Sequence, residues 1–333
     1  MMPQMVEYNN NLIVSGSKLA PGEFGSISTI YFLNEKLEEV WSYTFNEYRS
    51  NLIDEVSVFD DKIFITGMEG ELANTYKNTK RFIIVLDLKG NLLLKEKLGK
   101  CQFLQSTPLV KIDREIINYY NTDTTIMRNP SGEYFSLNVT RISLDDLTIQ
   151  DGPVSMNQKL RTGHPCEIIH FNNKSYLLGL TSLYNNDYCF IKSISEYTQE
   201  PERLVSSNLL TQFDLQVGEG SQTKILYNIN YYDDWQGHFI SLENILNTDS
   251  LSISSPSIRF DSQPNDIYAY KEHIYFLETV EHYKKYDLVV SDLSGNILSR
   301  DALDFIPDQL VVNDDYYYFL DKYSGAKIIR KPR

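Results

Sequence analysis

A polar turn followed directly by an apolar strand recurs seven times along this chain. Asp60-Asp61, for example, stands before Ile63-Phe64-Ile65, and Asn172-Asn173 stands before Tyr176-Leu177-Leu178. The spacing of the copies ranges from 43 residues (Ile274 to Tyr317) to 60 residues (Ile116 to Tyr176), which is typical of small sheets that bury their faces against neighbouring repeats. The first apolar residues of the copies are Leu12, Ile63, Ile116, Tyr176, Ile225, Ile274 and Tyr317.

The second copy shows the order of strands within one repeat. Its apolar runs predict four strands, with tight turns after the first and third strands and a longer polar segment after the second. Gly90 and Asn91 favour the second tight turn because both residues accept positive φ. The predicted strands are Leu52 to Phe59, Lys62 to Gly67, Arg81 to Asp87, and Leu92 to Leu98. Each repeat is therefore predicted to be one four-stranded antiparallel sheet, the blade of a β-propeller.

The sixth copy follows the same plan, and the seventh is shorter. In the sixth, a strand from Asp287 to Asp292 leads through Ser294-Gly295-Asn296 into a strand from Ile297 to Leu303. The seventh offers only three strands, near Gln309 to Val312, Tyr316 to Leu320, and Ala326 to Arg330. An incomplete last blade is expected, either as a three-stranded sheet or because a segment before the first residue has been removed.

These patterns predict an all-β fold. Helical periodicity over ten or more residues is almost absent, while Tyr and Phe number 24 and 16, which favours strands. The prediction is a single β-propeller domain spanning residues 1–333, with seven blades of four antiparallel strands. Six blades are the alternative if the weak fifth copy, which begins at Ile225, does not form a blade.

The run Phe82-Ile83-Ile84-Val85-Leu86-Asp87 with Gly90-Asn91 resembles the third and fourth blade strands of bacterial β-propeller proteins of the pyrroloquinoline-quinone-like and WD-repeat-like kind. The resemblance covers nearly the whole chain and implies the propeller fold. It indicates no specific family, because the two tryptophans, Trp41 and Trp235, are not followed by Asp. Neither the Gly-Gly pair of kelch repeats nor the Ser-x-Asp-x-Gly-x-Thr-Trp box of sialidase-type propellers is present.

Composition limits the classes of partner. The chain has 31 Lys and Arg against 45 Asp and Glu, a formal net charge of −14, so its field repels nucleic acid and anionic membrane surfaces. No apolar run is long enough to span a membrane, so membrane insertion is not expected. The first ten residues contain no signal-like apolar run, which favours the cytoplasm by default. The cell envelope or secretion is the alternative if an N-terminal signal has been removed.

In this architecture the connections fall on two sides. The tight turns share one side, where the Asn, Asp and Gly residues are explained by turn chemistry. The longer connections share the other side, and ligand binding is expected there because loops on a rigid scaffold commonly carry function. The longer connections are Gly16 to Gly25, Gly67 to Lys80, Asn121 to Gly132, and Thr279 to Lys285.

Three groups of candidate ligand-binding residues are assigned to this same side, which also holds the connections between consecutive blades. The segment from Tyr231 to His238 combines aromatic and polar groups that suit a sugar or peptide; the alternative is a loop whose Trp packs on its own blade. A second group consists of Arg residues between blades, which would hold a carboxylate or phosphate if they converged. The third is His164, close to Cys166 but without the spacing of a metal site. The candidates are Trp235, Asp233, Asp234, His238, Arg49, Arg161, Arg259 and His164.

No catalytic motif is present: there is no Gly-x-Ser-x-Gly elbow and no phosphate-binding glycine loop. The sequence therefore favours a monomeric, non-catalytic binding or scaffold protein for a protein, peptide or glycan, with no cofactor and no metal. A carbohydrate-active enzyme is the alternative, with Asp234 facing Asp261 or Glu281 from another blade on the side of the longer connections. A quinone-dependent or metal-dependent oxidoreductase is a weaker alternative. The three cysteines favour buried thiols over a Cys166–Cys189 disulfide with Cys101 left over.

Overall fold

The fold is known from a computed structural model. It describes residues 4–19, 26–45, 51–69, 79–100, 107–122, 136–153, 163–171, 174–183, 186–193, 203–206, 210–217, 224–231, 234–241, 258–260, 264–280, 285–321 and 327–333. Side chains are described for residues 4–16, 27–45, 51–69, 79–99, 107–120, 138–152, 168, 175–178, 266–280, 285–321 and 327–333.

Every regular element of the described residues is a β-strand, and the strands form consecutive antiparallel sheets, numbered here in chain order. Two compact units, Met1–Ser155 and Met156–Arg333, divide the chain. The first unit contains sheets 1 to 3. Sheet 1 consists of β1 (Met5–Tyr8), β2 (Asn11–Leu19), β3 (Ser26–Leu33) and β4 (Glu39–Thr44). Sheet 2 consists of β5 (Asn51–Phe59), β6 (Lys62–Glu69), β7 (Lys80–Asp87) and β8 (Leu92–Lys100), and sheet 3 of β9 (Val110–Ile112), β10 (Glu115–Thr122), β11 (Ser136–Ser143) and β12 (Ile149–Pro153).

The second unit contains sheets 4 to 7. Sheet 4 consists of β13 (Gly163–Phe171), β14 (Lys174–Leu183), β15 (Asn186–Ser193) and β16 (Arg203–Ser206). Sheet 5 consists of β17 (Leu210–Val217), β18 (Lys224–Tyr231), β19 (Asp234–Ser241) and β20 (Ile258–Phe260). Sheet 6 consists of β21 (Pro264–Tyr270), β22 (His273–Val280), β23 (Lys285–Asp292) and β24 (Ile297–Leu303), and sheet 7 of β25 (Pro307–Val312), β26 (Tyr316–Asp321) and β27 (Lys327–Pro332).

The sheets follow the strand order that the repeat predicts. Within each sheet the strands pair in sequence order, and the weak fifth copy forms a sheet of its own. The last sheet has three strands in the described residues, as its sequence indicates. The first two of the predicted long connections are shorter than expected, because β2 continues to Leu19 and β6 to Glu69. The assignment of residues 1–333 to one domain stays a prediction.

The tight turns are built by the residues that the sequence marks for them. Asn9, Asn10, Asp60 and Asp61 all have positive φ, between 46° and 63°. After the third strands, Gly90 (φ 83°) occupies the matching position. These conformations match the right-handed twist of the strands, which is why Asn, Asp and Gly are selected there.

The turns after β7 and β23 are held by the same hydrogen-bond pattern. In the first of them, the backbone N–H groups of Lys89 and Asn91 each donate to Asp87 Oδ1 at 2.8 Å, and Asn91 Nδ2 donates to Asp87 Oδ2 at 2.7 Å. Asp292 accepts the corresponding bonds in sheet 6. The bonds from the Asn side chain and backbone hold the pKa of Asp87 below its usual value. These polar residues are therefore structural.

The sheets of each unit pack face to face through apolar side chains. In the first unit, Ile13, Ile30 and Phe32 of sheet 1 meet Ile65 and Phe82 of sheet 2 in one buried cluster. The first strands of successive sheets are also in contact: β1 with β5 in the first unit, and β13 with β17, β17 with β21, and β21 with β25 in the second. First strands therefore take part in the contacts between neighbouring sheets, and in the first unit β3 contacts β5 as well.

The tight turns between first and second strands also connect neighbouring sheets, and this side of the sheets is called the short-turn end. The Tyr8 hydroxyl of sheet 1 donates to Asp61 of sheet 2, and Lys111 of sheet 3 forms an ion pair with Asp60. In the second unit Lys271 of sheet 6 forms an ion pair with Asp314 of sheet 7. The opposite side, where first and third strands begin, is called the open end.

Candidate functional site

A β-bulge interrupts the first strand of several sheets close to the open end. In sheets 2, 4 and 6 it follows the fifth residue pair from the hairpin, and the extra residues are Asp54, Cys166 and Asn265. Asp308 is the extra residue in sheet 7, opposite the junction of Leu320 and Asp321. A bulge bends its strand and re-aims the neighbouring side chains, and bulges are enriched beside binding and active sites. The first strands of these sheets therefore carry a repeated irregularity close to the open end.

These bulges share a short sequence. An apolar residue or Pro precedes the extra residue, a carboxyl or amide side chain follows it, and an aliphatic residue comes next. The four segments are Ile53-Asp54-Glu55-Val56, Pro165-Cys166-Glu167-Ile168, Pro264-Asn265-Asp266-Ile267 and Pro307-Asp308-Gln309-Leu310. The polar residue after the bulge therefore occupies the fifth pair from the hairpin in sheets 2, 4 and 6, and the fourth pair in sheet 7.

In the first unit, the open end of sheet 2 holds a buried ion pair. Arg81 Nη1 donates to Asp54 Oδ2 at 2.8 Å, and the two side chains are only 2% and 6% exposed. Thr66 Oγ1 donates to Asp54 Oδ1 at 2.8 Å and accepts from Arg81 Nη2 at 3.1 Å. The carboxylate is thus satisfied by two partners, as a charge removed from water requires.

The arginine also links sheet 2 to sheet 3. Its guanidinium carbon lies 5.0 Å from the ring centre of Tyr120, in cation–π contact. The Tyr120 hydroxyl donates to both carboxylate oxygens of Asp151 at 2.9 Å, and Thr140 Oγ1 donates to Asp151 Oδ1 at 2.8 Å. Burial, reinforced by Asp151, raises the pKa of Tyr120. A continuous polar chain therefore runs from Asp54 to Asp151, and its satisfied partners indicate a structural link between the sheets.

In the second unit, a carboxyl group joins the first strands of sheets 6 and 7. The backbone N–H of Leu310 donates to Asp266 Oδ2 at 2.6 Å. Burial raises the pKa of Asp266 to about 7, while the N–H groups of Leu310 and Ile267 lower it and the nearby Asp308 carboxylate raises it. Asp266 is therefore half ionised near neutral pH, and it lies beside a second acid from the neighbouring sheet.

A second acidic group occupies sheet 6. Glu278 and Asp287 are directly opposite one another on β22 and β23, and Arg300 Nη1 bridges them at 2.5 Å and 3.2 Å. Glu278 is fully buried, so Arg300 provides the charge that its carboxylate needs. Four carboxyl groups, those of Asp266, Glu278, Asp287 and Asp308, thus lie towards the open end of sheets 6 and 7, and the arginine that bridges two of them is partly exposed.

The predicted ligand-binding residues have varied positions. Arg49, Arg161 and Asp233 lie outside the described residues. Asp234, Trp235 and His238 belong to strand β19 and Arg259 to β20, so the segment expected to be a loop is largely a strand. His164 is the second residue of β13, just before the bulge at Cys166. Whether these residues bind a ligand stays a prediction.

The register of sheet 5 separates members of this set. Trp235 pairs with Asn230 and Phe260, while the adjacent Gln236 pairs with Arg259. Because neighbouring strand positions alternate between faces, Trp235 and Arg259 occupy positions on opposite faces of the sheet. Asp234 and His238 share the face of Arg259. Sheet 5 therefore does not place the aromatic and cationic candidates on one surface.

The backbone also bears on the cysteines and on metals. Cys166 lies in β13 and Cys189 in β15, with β14 between them, which puts the two strands about 9 to 10 Å apart. A disulfide requires Cα atoms within about 7 Å, so the bridge considered from the sequence does not fit this sheet. Within the described part of the chain, no three His, Cys, Asp or Glu residues are grouped as metal ligands. None of the described elements is a helix of the length and apolarity that a membrane crossing requires.

No protein-family model matches this chain, and no curated protein matches it. Among solved structures, it is similar to Kuenenia stuttgartiensis hydrazine synthase, with a TM-score of 0.52, 9% identity, and coverage of 97% of this chain and 92% of that chain. Pyrococcus horikoshii acylaminoacyl peptidase gives a TM-score of 0.53 at 9% identity over 100% of this chain. BamB from Moraxella catarrhalis gives 0.46 at 9% identity, over 98% of this chain and 92% of that chain.

These likenesses concern the fold. The chain spans 51% of the peptidase chain, about half its length. Identity of 9% carries no information about activity. Together with the consecutive antiparallel sheets, the comparisons confirm an all-β protein of the β-propeller class without a specific family. The number of blades stays a prediction.

Sequence reasoning missed the acids of the described open end. Asp54, Asp266 and Asp308 lie at or beside bulges, and the shared segment around them was the available signal. Glu278 and Arg81 lie within apolar runs, where a single charged residue gives no indication of its partner.

Proposed function

We propose that this protein is a non-catalytic binding protein of the β-propeller class and that its ligand contacts the open end of the sheets. The observation that carries the proposal is the concentration of carboxyl groups there, with Asp266, Glu278, Asp287 and Asp308 described in two adjacent sheets. At the short-turn end, Asp60, Asp61, Asp87 and Asp314 take part in turn bonds and in links between sheets.

The charge of this region supports a polypeptide ligand with Lys or Arg side chains. Arg300 already bridges Glu278 and Asp287, while Asp266 and Asp308 lie near each other on first strands. Acids that lie near each other attract the basic side chains of a ligand. The net charge of −14 also attracts a basic partner over long range.

The fifth-repeat and arginine candidates belong to the same proposal. Asp234 begins β19 and Arg259 lies near the end of β20, so both are at the open end of sheet 5. If Trp235→Ala and Arg161→Ala leave every detected partner bound, that part of the site is wrongly placed.

The test selects ligands from a random-peptide phage library on the immobilised full chain and measures their affinities by fluorescence anisotropy. We expect Lys-rich or Arg-rich peptides whose affinity falls with ionic strength and falls roughly ten-fold in Asp308→Asn. Asp314→Asn makes the same change at the short-turn end and serves as the matched control. Equal loss in both variants, or selection of acidic peptides, contradicts the proposal. If the protein binds sugars on a glycan array and the library yields no peptide, the ligand is a sugar and not a polypeptide.

A carbohydrate-active enzyme is the second candidate, and one observation favours it. Asp266 and Asp308 come from neighbouring sheets, and the pKa of Asp266 is raised to about 7, as the general acid of a glycoside hydrolase requires. Release of sugar from a polysaccharide panel, abolished by Asp266→Asn, supports this candidate. Activity that persists in Asp266→Asn, or no activity on any polysaccharide, removes it.

A further inference from the structure

Strand β27 occupies a position that is covered in the other sheets. Sheets 1 to 6 each have four strands in the described residues, so their third strands are paired on both sides, whereas β27 pairs with β26 alone. The third strands β7 and β23 are mostly buried, while Lys327, Arg330 and Pro332 of β27 are exposed. The outer edge of β27 is therefore where a fourth strand would pair.

The hydrogen bonds show which backbone groups face outward. The Arg333 N–H donates to the Asp315 carbonyl at 3.0 Å, so the backbone groups of Arg333 face β26. Because these groups alternate along an antiparallel strand, those of Ile329 also face β26, and those of Ile328, Arg330 and Pro332 face outward. Pro332 has no N–H, which is the arrangement found at sheet edges. Backbone groups thus point to the outer side at every second residue, as in a strand to which a neighbouring strand can be added.

The charge on this edge has one sign. The segment from Lys327 to Arg333 contains two Lys and two Arg and no acid, in a chain whose net charge is −14. The edge strands of sheets 2 and 6 mix the signs, as in Lys95-Glu96-Lys97 of β8 and Arg300-Asp301 of β24. Solubility alone requires charge but not a single sign.

Aromatic rings hold several of these cations in place. The Arg330 guanidinium lies 4.5 Å from the ring centre of Tyr316, and Lys331 Nζ lies 5.0 Å from that of Phe305. Asp304 is 3.5 Å from Lys331 and offsets part of one charge. These contacts position the basic side chains along the edge.

We infer that the outer edge of β27 binds an extended segment of a partner protein that carries Asp or Glu and adds to sheet 7 as its fourth, antiparallel strand. Backbone hydrogen bonds provide the affinity, and the basic side chains select acidic residues. A second copy of the edge is a poor occupant, because Lys and Arg would then face Lys and Arg. This surface differs from the open end, so the inference does not depend on the proposed function.

The test uses the full chain and a fluorescent synthetic peptide of alternating Thr and Glu. We expect saturable binding, a loss of roughly ten-fold when alternate peptide nitrogens of the probe are methylated, and no binding of a Thr-Lys peptide. In hydrogen exchange by NMR, the amides of Ile328 and Arg330 should gain protection, and that of Ile329, which already faces β26, should not. Equal affinity of the methylated and unmethylated peptides overturns the inference.

Charge variants provide a second measurement. Lys327→Gln with Arg330→Gln should weaken the Thr-Glu peptide roughly ten-fold, whereas Lys36→Gln with Lys89→Gln, at exposed turns of the first unit, should not. Equal effects of the two double variants would show that net charge alone attracts the peptide and would overturn the inference. So would a doubled mass in light scattering with Ile328 and Arg330 protected before any peptide is added, because a second copy would then occupy the edge.

Discussion

Replacing Asp266 by Asn gives the sharpest test of the electrostatics described for sheets 6 and 7. Burial raises the pKa of this carboxyl from 3.8 to about 7 in the folded protein. Between these values the folded state holds a proton that the unfolded state releases, so stability is fully present below about pH 4 and falls as the pH rises to about 7. Asn has no proton to lose and keeps an oxygen that can accept the Leu310 N–H.

The magnitude follows from the shift. About 3 pKa units at about 1.4 kcal/mol each give an upper limit of about 4 kcal/mol, which the wild type loses between pH 4 and pH 8 and Asp266→Asn does not. The assay is urea unfolding of both proteins across this range, with the difference in free energy of unfolding plotted against pH. The free energy of unfolding of the variant should increase relative to that of the wild type as the pH rises.

Asp314→Asn is the control for this experiment. The hydrogen bond from Lys271 is the main cause that holds the pKa of Asp314 below its usual value of 3.8. The ionised wild-type side chain therefore stabilises the fold above about that pH. As the pH rises through the acid range, the free energy of unfolding of the wild type should therefore increase relative to that of Asp314→Asn, which is the opposite of the trend expected for Asp266→Asn. A flat difference for Asp266→Asn, or a ¹³C-detected titration of the Asp266 carboxyl near pH 4, would refute the reasoning.

Three further predictions concern stability in urea unfolding. Gly67→Ala should cost about 1–3 kcal/mol, since its Cβ would lie 2.3 Å from the Leu52 carbonyl oxygen, while Gly152→Ala, with nothing within 4 Å, should be nearly neutral; equal costs would contradict this. Arg81→Met should cost about 3–5 kcal/mol by leaving Asp54 unpaired, and adding Asp54→Leu should recover part of the loss; no recovery would show that the pair is not coupled. Gly90→Ala should cost about 1–3 kcal/mol, since φ is 83° and the Trp41 ring lies 2.8 Å from the new Cβ; an unchanged stability would refute the close packing.

The repeated sheets could be predicted because their signals are local. Asp60-Asp61 and Gly90 fix tight turns by positive φ, and the apolar runs between them can only be strands. Bulges could not be predicted in the same way. An extra residue such as Asp54 or Asn265 is recognised only when the partner strand shows two residues opposite one.

The candidate site was predicted less well, for two physical reasons. Polar residues from Asp233 to His238 indicated a loop, but Tyr231 and Trp235 are good strand formers, and they end one strand and begin the next. The buried partners of Asp54 and Glu278 are Arg81 and Arg300, each brought there by strand pairing. Contacts of this range depend on register, which a local pattern does not specify.

The recurring bulge supplies a common coordinate for the repeats. Loop lengths differ from sheet to sheet, so residue spacing alone does not align them, but counting from the bulge makes Glu55, Glu167, Asp266 and Gln309 equivalent. The four bulged sheets thus differ in charge at one shared position, and exchanging those four residues would redistribute acid among first strands without altering a turn. Because this position lies towards the open end and the tight turns lie at the other end of the strands, such an exchange leaves the turn residues of the fold unchanged.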